Sequence, residues 1–168
     1  MTWKSFLLRP RPDTHPRTLE KFKRYTESWR APAAEEPAAG FKIWFTEEGP
    51  PSHSLPPHQV AKAAARIGQE AFTSIHDLLL DAYFRRSRDI SSEATLRELW
   101  QEASLPADSF SDWQDPEILR SIEEEFREAL ENGAGGAPAV RMDGNYSVVM
   151  GAQPTEVYRR WIRRALRK

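Results

Sequence analysis

The segment Gly133-Ala134-Gly135-Gly136-Ala137-Pro138-Ala139-Val140 constrains this chain more than any other. It follows an apolar helical stripe and is answered by Gly151-Ala152-Gln153-Pro154 before a last amphipathic stretch. Asn132-Gly133 ends a helix, since glycine takes the left-handed conformation at a helix C-terminus without steric cost. Ala139 to Met142 and Tyr146 to Met150 read as short strands around Asp143-Gly144-Asn145, a hairpin turn signal. Pro154 then opens a helix, with Val157, Tyr158, Trp161, Ile162 and Leu166 predicted to face inward. A hairpin between two helices is a demanding arrangement, because each helix must bury its apolar stripe against the sheet.

Ahead of that segment the pattern is mostly helical. Trp3 to Leu8 is aromatic and apolar, is ended by Arg9-Pro10-Arg11-Pro12, and reads as a short strand. Leu19, Phe22, Tyr25 or Thr26, and Trp29 recur at helical spacing, predicting a helix over Pro16 to Trp29. Ala31 to Gly40, with its prolines, alanines and glutamates, reads as a surface loop. Phe41 to Phe45 suits either a short strand or a buried loop segment. Glu48 to Pro57 is irregular. Pro57 to Ile67, Gln69 to Arg86 and Ser92 to Ala103 follow as helices, the first two separated by Gly68. Asp115-Pro116 marks a helix start, an acidic cap before proline at the first helical position. Ile118, Ile122, Phe126, Ala129 and Leu130 trace its core stripe.

Length and composition bound the class. The 168 residues suffice for one domain with a sizeable core, and 39% hydrophobic with 29% charged residues suits a soluble globular protein. No apolar run approaches a membrane span. The apolar part of Met1 to Arg9 is too short for a signal peptide, so a cytoplasmic location is expected. With a net charge of −1, bulk electrostatics favour neither nucleic acid nor an anionic membrane. The chain has no cysteine, which excludes disulfides, thiolate metal ligands and thiol chemistry within it.

The order of these segments resembles the DsbA family of thioredoxin-fold proteins, particularly its FrnE-like and 2-hydroxychromene-2-carboxylate isomerase-like branch. Three segments carry the resemblance. They are the stretch before Pro138, the Gly151-Ala152-Gln153-Pro154 turn, and His76 to Phe84 ending in Ala82-Tyr83-Phe84 and followed by Asp89-Ile90-Ser91. The resemblance implies an α/β fold, a thioredoxin-like sheet with an inserted helical subdomain over about residues 57–132, in a single domain over 1–168. It implies thiol–disulfide oxidoreductase activity for the family. It also implies that Pro138 is cis and that Gly136, Ala137 and Pro138 hold an extended peptide by strand addition.

The same resemblance exposes a gap. The family's first strand and its Cys-x-x-Cys helix have no counterpart here, so the first strand–helix unit is expected to be missing. The Trp3–Leu8 strand then has no direct partner, and its backbone groups must be satisfied some other way. Three readings stay open: a longer natural protein, a non-catalytic member that fills the gap by pairing, or an N-terminal segment that itself takes the central place. The chain as written is expected to have no redox activity. The alternatives are a peptide-binding or dimerisation module, and a glutathione-linked isomerase or transferase, for which glutathione would be the cofactor.

Other chemistry-bearing residues read as structural. His53 and His58 lack an acidic third ligand at helical spacing, so no metal is expected. His76 and Asp77 pair a base with a carboxylate but have no nucleophile beside them. Glu123-Glu124-Glu125 forms a solvated face. Arg159, Arg160, Arg163, Arg164, Arg167 and Lys168 place positive charge at a helix C-terminus, which is favourable without any ligand.

Overall fold

The computed structural model describes residues 2–144 and 147–167. Within them the chain is mixed α/β, with seven α-helices and one two-stranded sheet. The described residues form two compact units, one from Met1–Leu8 with Ser121–Lys168 and one from Arg9–Arg120.

In the Arg9–Arg120 unit, α1 spans Leu19–Thr26 and runs into a 3-10 turn at Glu27–Trp29. Thr18 caps α1 by accepting from Lys21 N–H at 3.3 Å. The residues from Ala31 to Gly40 depart from the loop expectation. They form α2 (Arg30–Glu35) and a 3-10 turn at Pro37–Ala39. Pro32 lies in the first turn of α2, where a missing N–H costs nothing. Gly40 closes the stretch at φ 67°, and a Cβ there would meet Arg85 Nε at 2.7 Å. That guanidinium holds the Ala39 and Ala38 carbonyls, each at 2.7 Å.

An aromatic cluster fills one half of this unit. Phe22, Trp29 and Trp44 are buried, with Leu19, Tyr83 and Phe84 packed against them. Phe22 meets Trp44 edge-on with centroids 4.9 Å apart, and Trp29 lies 5.0 Å from Phe84. Phe41 to Phe45 is a loop rather than a strand, and of its residues only Trp44 is buried, while Lys42 and Phe45 are exposed. Its polar groups are met by side chains: Trp44 N–H donates to Thr26 Oγ1 at 3.0 Å and Phe45 N–H to Ser87 Oγ at 3.2 Å. Burial pushes the Tyr83 phenol up to about 12.

The other half packs α3 (Leu55–Ile67), α4 (Gln69–Phe84), α5 (Glu93–Glu102) and a 3-10 stretch at Asp108–Gln114. Gly68 separates α3 from α4, as the sequence predicts. Val60, Ile75, Leu96, Leu99, Trp100 and Phe110 form the core. Trp100 Nε1 donates to Pro106 O at 2.8 Å, so its polar edge is satisfied.

α6 (Pro116–Glu131) starts where Asp115-Pro116 predicts. Asp115 accepts from Glu117 N–H at 2.8 Å and from the Arg66 guanidinium at 2.6 Å. The Arg66 hydrogen bond, then the Glu117 N–H, holds the Asp115 carboxyl below the usual carboxylate range. A carboxylate depressed on folding stabilises the native state above its unfolded pKa and loses that contribution as pH falls through its folded pKa. Asp115→Asn, which keeps a capping oxygen, is therefore expected to lower the urea midpoint at pH 7. The difference from the parent should close as pH falls below about 4. A difference that persists in acid would mean that the charge is not responsible.

In the unit of residues 1–8 and 121–168, Ile122 is fully buried, but Phe126 and Ala129 are half-buried and Leu130 is exposed. The predicted stripe thus reaches the core only in its first part. β1 (Ala139–Arg141) pairs antiparallel with β2 (Val148–Met150), Val140 opposite Val149. Asn145 and Tyr146, part of the predicted turn and strand, lie outside the described residues. No third strand joins the two among the described residues.

Trp3–Leu8 is a correction: it forms no strand. Ser5 and Leu7 are buried while Lys4 and Leu8 are exposed, the alternation of an extended chain. With no ladder to join, Ser5 N–H donates to the Glu125 carboxylate at 2.7 Å. Phe6 packs edge-on against Phe126 at 5.2 Å, and Lys4 pairs with Glu128. α7 (Thr155–Ala165) is the second correction. Val157, Tyr158 and Trp161 are only half-buried, and Ile162 and Leu166 are 43% and 80% exposed. A sheet of two short strands has too little area to cover them.

Candidate functional site

The site is built from the end of α6 to the start of α7. Gly133, at φ 83°, lets the chain leave α6, and its N–H donates to Leu130 O at 2.9 Å. Ala134 N–H returns to Ala129 O at 2.9 Å and its methyl is buried, so the loop is pinned at its root. Asn132 donates through Nδ2 to Glu128 O at 2.7 Å and accepts from Arg141 at 2.8 Å. That tie links the helix end to β1.

The loop then reaches Ala137–Pro138, which is a cis peptide. Gly136 is half-buried, and Ala137 and Pro138 are exposed. Pro138 O accepts from Gly151 N–H at 2.8 Å, so that carbonyl is already used. Ala137 has no hydrogen-bond partner for its N–H or C=O among the described residues. The Gly151-Ala152-Gln153-Pro154 turn braces the other side: Tyr158 Oη donates to Gly151 O at 3.0 Å and Gln153 Nε2 to Met150 O at 2.9 Å. The outcome is a held loop that presents the peptide groups of Gly135, Gly136 and Ala137, unpaired among the described residues, at the head of β1.

Charge near this end of α6 is organised by pairing. The hydrogen bond from Lys4, with the nearby charges of Lys4 and Arg141, holds Glu128 below the usual carboxylate range. Glu123 and Glu124 are exposed, while Glu125 is half-buried and serves Ser5.

The remaining candidates lie elsewhere. His53 sits in a loop with Nδ1 2.8 Å from Ser52 Oγ. Ser52 Oγ donates to Ser91 Oγ at 3.1 Å, and Ser91 Oγ to Asp89 at 2.6 Å. Burial lowers the His53 pKa, and Asp89 opposes that shift. Sequence reasoning misses this run of hydrogen bonds, whose only trace in the chain is Asp89-Ile90-Ser91. His58 lies within α3, and no group of three or more His, Asp or Glu among the described residues could hold a metal ion. His76 stacks on Phe72 with centroids 5.4 Å apart, and Asp77 is exposed.

The comparisons with known proteins agree with this architecture. A family model described as "DSBA-like thioredoxin domain" matches residues 1–163. A search of curated proteins found no match. Among solved structures, a "putative protein disulfide isomerase from Nitrosomonas europaea" is 18% identical, with a TM-score of 0.72, covering 94% of this chain and 79% of that one. The cytosolic disulfide reductase DsbM from Pseudomonas aeruginosa is 20% identical, with a TM-score of 0.66 over 90% of this chain and 79% of its own. DsbM with GSH gives 19% and 0.68, over 92% and 80%. No helix among the described residues is long and apolar enough to cross a membrane.

Proposed function

This chain belongs to the DSBA-like thioredoxin domain family, and on that premise we propose that it is a non-redox member that binds extended polypeptide at Gly136, Ala137 and Pro138. Disulfide exchange proceeds by attack of a thiolate on sulfur, and a chain without cysteine has none to offer. What the family frame can still do is bind. The observation that carries this reading is the exposed Ala137 peptide group at the head of a strand, the group unpaired and the strand without a third neighbour among the described residues. A peptide laid beside it would gain main-chain hydrogen bonds of the strand-addition kind. The whole of residues 1–168 is proposed to act as one domain with a helical insertion over about 57–132, in the cytoplasm.

Two measurements test this. The purified chain is expected to reduce no disulfide of insulin above the buffer control; measurable turnover would overturn the non-redox reading. Titration with an unfolded, cysteine-free polypeptide is expected to shift the amide resonances of Gly136, Ala137 and Ala139 first. Shifts confined to other residues, or none at saturating peptide, would remove the site.

Glutathione is the second reading, favoured by the solved structure of DsbM with GSH. A ligand that binds only the native state raises its melting temperature. Dose-dependent protection by glutathione would favour this reading, and none would retire it.

A further inference from the structure

The unit of residues 1–8 and 121–168 leaves two surfaces open that the peptide site does not use. The first is α7. Its arginines and its apolar residues occupy opposite arcs, because they alternate at helical spacing. Arg159 pairs with Glu156 at 3.8 Å. Arg160, Arg163, Arg164 and Arg167 have no carboxylate partner among the described residues. Val157, Arg160, Trp161 and Arg164 line a hollow of about 270 Å³, and Ile162 and Leu166 are exposed on the other arc.

The second surface is on α6. A hollow of about 460 Å³ there is lined by Glu124, Glu125, Glu128 and Glu131 against Lys4 and Arg127. Leu130 is half exposed on the same helix, and Glu123 and Glu124 have no partner among the described residues. One surface is cationic, the other acidic.

We infer that the occupant of each surface is a second copy of this chain, α7 of one copy seating on the acidic face of α6 of the other. A two-fold axis makes this contact twice, since the same patch then serves both subunits. Charge complementarity selects the occupant. An anionic membrane or a nucleic acid would meet α7 but be repelled by the glutamates of the same unit. Another copy offers the carboxylates that the arginines lack. Burial across the contact would also add to a unit whose own core is small, with only Leu7, Ile122 and Ala134 buried among its described apolar residues.

Charge reversal tests the pairing. Light scattering of the parent is expected to give twice the 19.3 kDa chain mass. Affinity should fall about tenfold or more between about 50 mM and about 500 mM salt. The double variant Arg160→Glu/Arg164→Glu is expected to be monomeric, as is Glu124→Arg/Glu131→Arg, since each sets like charges against each other. An equimolar mixture of the two should recover a one-to-one heterodimer, because both contacts are then complementary. Circular dichroism matching the parent confirms that each variant folds. A parent that stays monomeric at about 100 μM, well above the ~1 μM of a modest interface, overturns the inference. So does a dimer that survives both reversals, or flotation of the parent with phosphatidylserine vesicles in place of self-association. A monomer whose Ala137 amide still shifts with peptide would overturn the dimer and leave the peptide site standing.

Discussion

Trp44→Ala is expected to destabilise the Arg9–Arg120 unit by about 3–5 kcal/mol, the range for removing a large buried ring. Trp44 is 2% exposed and lies where three parts of that unit meet. Its ring contacts Phe22 at 4.9 Å and Tyr83 at 5.7 Å, and its Nε1 donates to Glu48 O at 3.0 Å. Truncation leaves a cavity walled by rings, which are stiff and collapse poorly into it. It also strands the Glu48 carbonyl. Trp44→Phe keeps most of the ring but not the N–H, and should cost less, about 1–3 kcal/mol. Urea unfolding of the two variants checks both figures. If phenylalanine proves as damaging as alanine, the hydrogen bond rather than the ring dominates the site.

Ser87→Val should follow closely, at about 2–4 kcal/mol. Ser87 is fully buried at φ 54°, a region hostile to a β-branched side chain. Its hydroxyl accepts from Phe45 N–H at 3.2 Å, and its carbonyl accepts from Thr46 Oγ1 at 2.6 Å. Valine removes the acceptor for Phe45 and adds methyl groups where the backbone conformation crowds them. Ser87→Ala removes the hydroxyl alone and is expected to cost about half as much. Equal losses for the two variants would show that backbone conformation contributes nothing here.

These two residues also mark what could be read from the chain. Local rules served well for the helices. Asp115-Pro116 announced α6, Gly68 divided α3 from α4, and the Leu19–Trp29 spacing located α1. Non-local facts were out of reach. Thr26 and Ser87 are small polar residues with no periodic signature, yet both become buried acceptors for a loop 18 and 42 residues away. The helix at Arg30–Glu35 was hidden because prolines and glutamates suggest a loop, although Pro32 lies where helices tolerate proline. The inward face expected of α7 was sound periodicity with an untrue conclusion. Spacing along a helix says which residues share a face and not whether anything covers it. Trp3–Leu8 had a strand's composition, and its burial alternates, but it has no ladder to complete it. At the candidate site, Pro138 and its glycines were legible as a turn. The unpaired peptide group of Ala137 was not, since it depends on which backbone groups the folded chain brings within reach.

The small core around the hairpin has a kinetic meaning as well. Opening β1 from β2 breaks only three residue pairs and uncovers side chains that are already half in water. Freeing Trp44 from its cluster requires most of the Arg9–Arg120 core to come apart. Amide protons of Val140 and Val149 should therefore trade with deuterium through brief local openings, while the Trp44 amide should wait for global unfolding. A protease working under native conditions would find the chain between Ala139 and Met150 long before it found the helices. The loop offered to a peptide would then belong to the most readily opened part of the molecule.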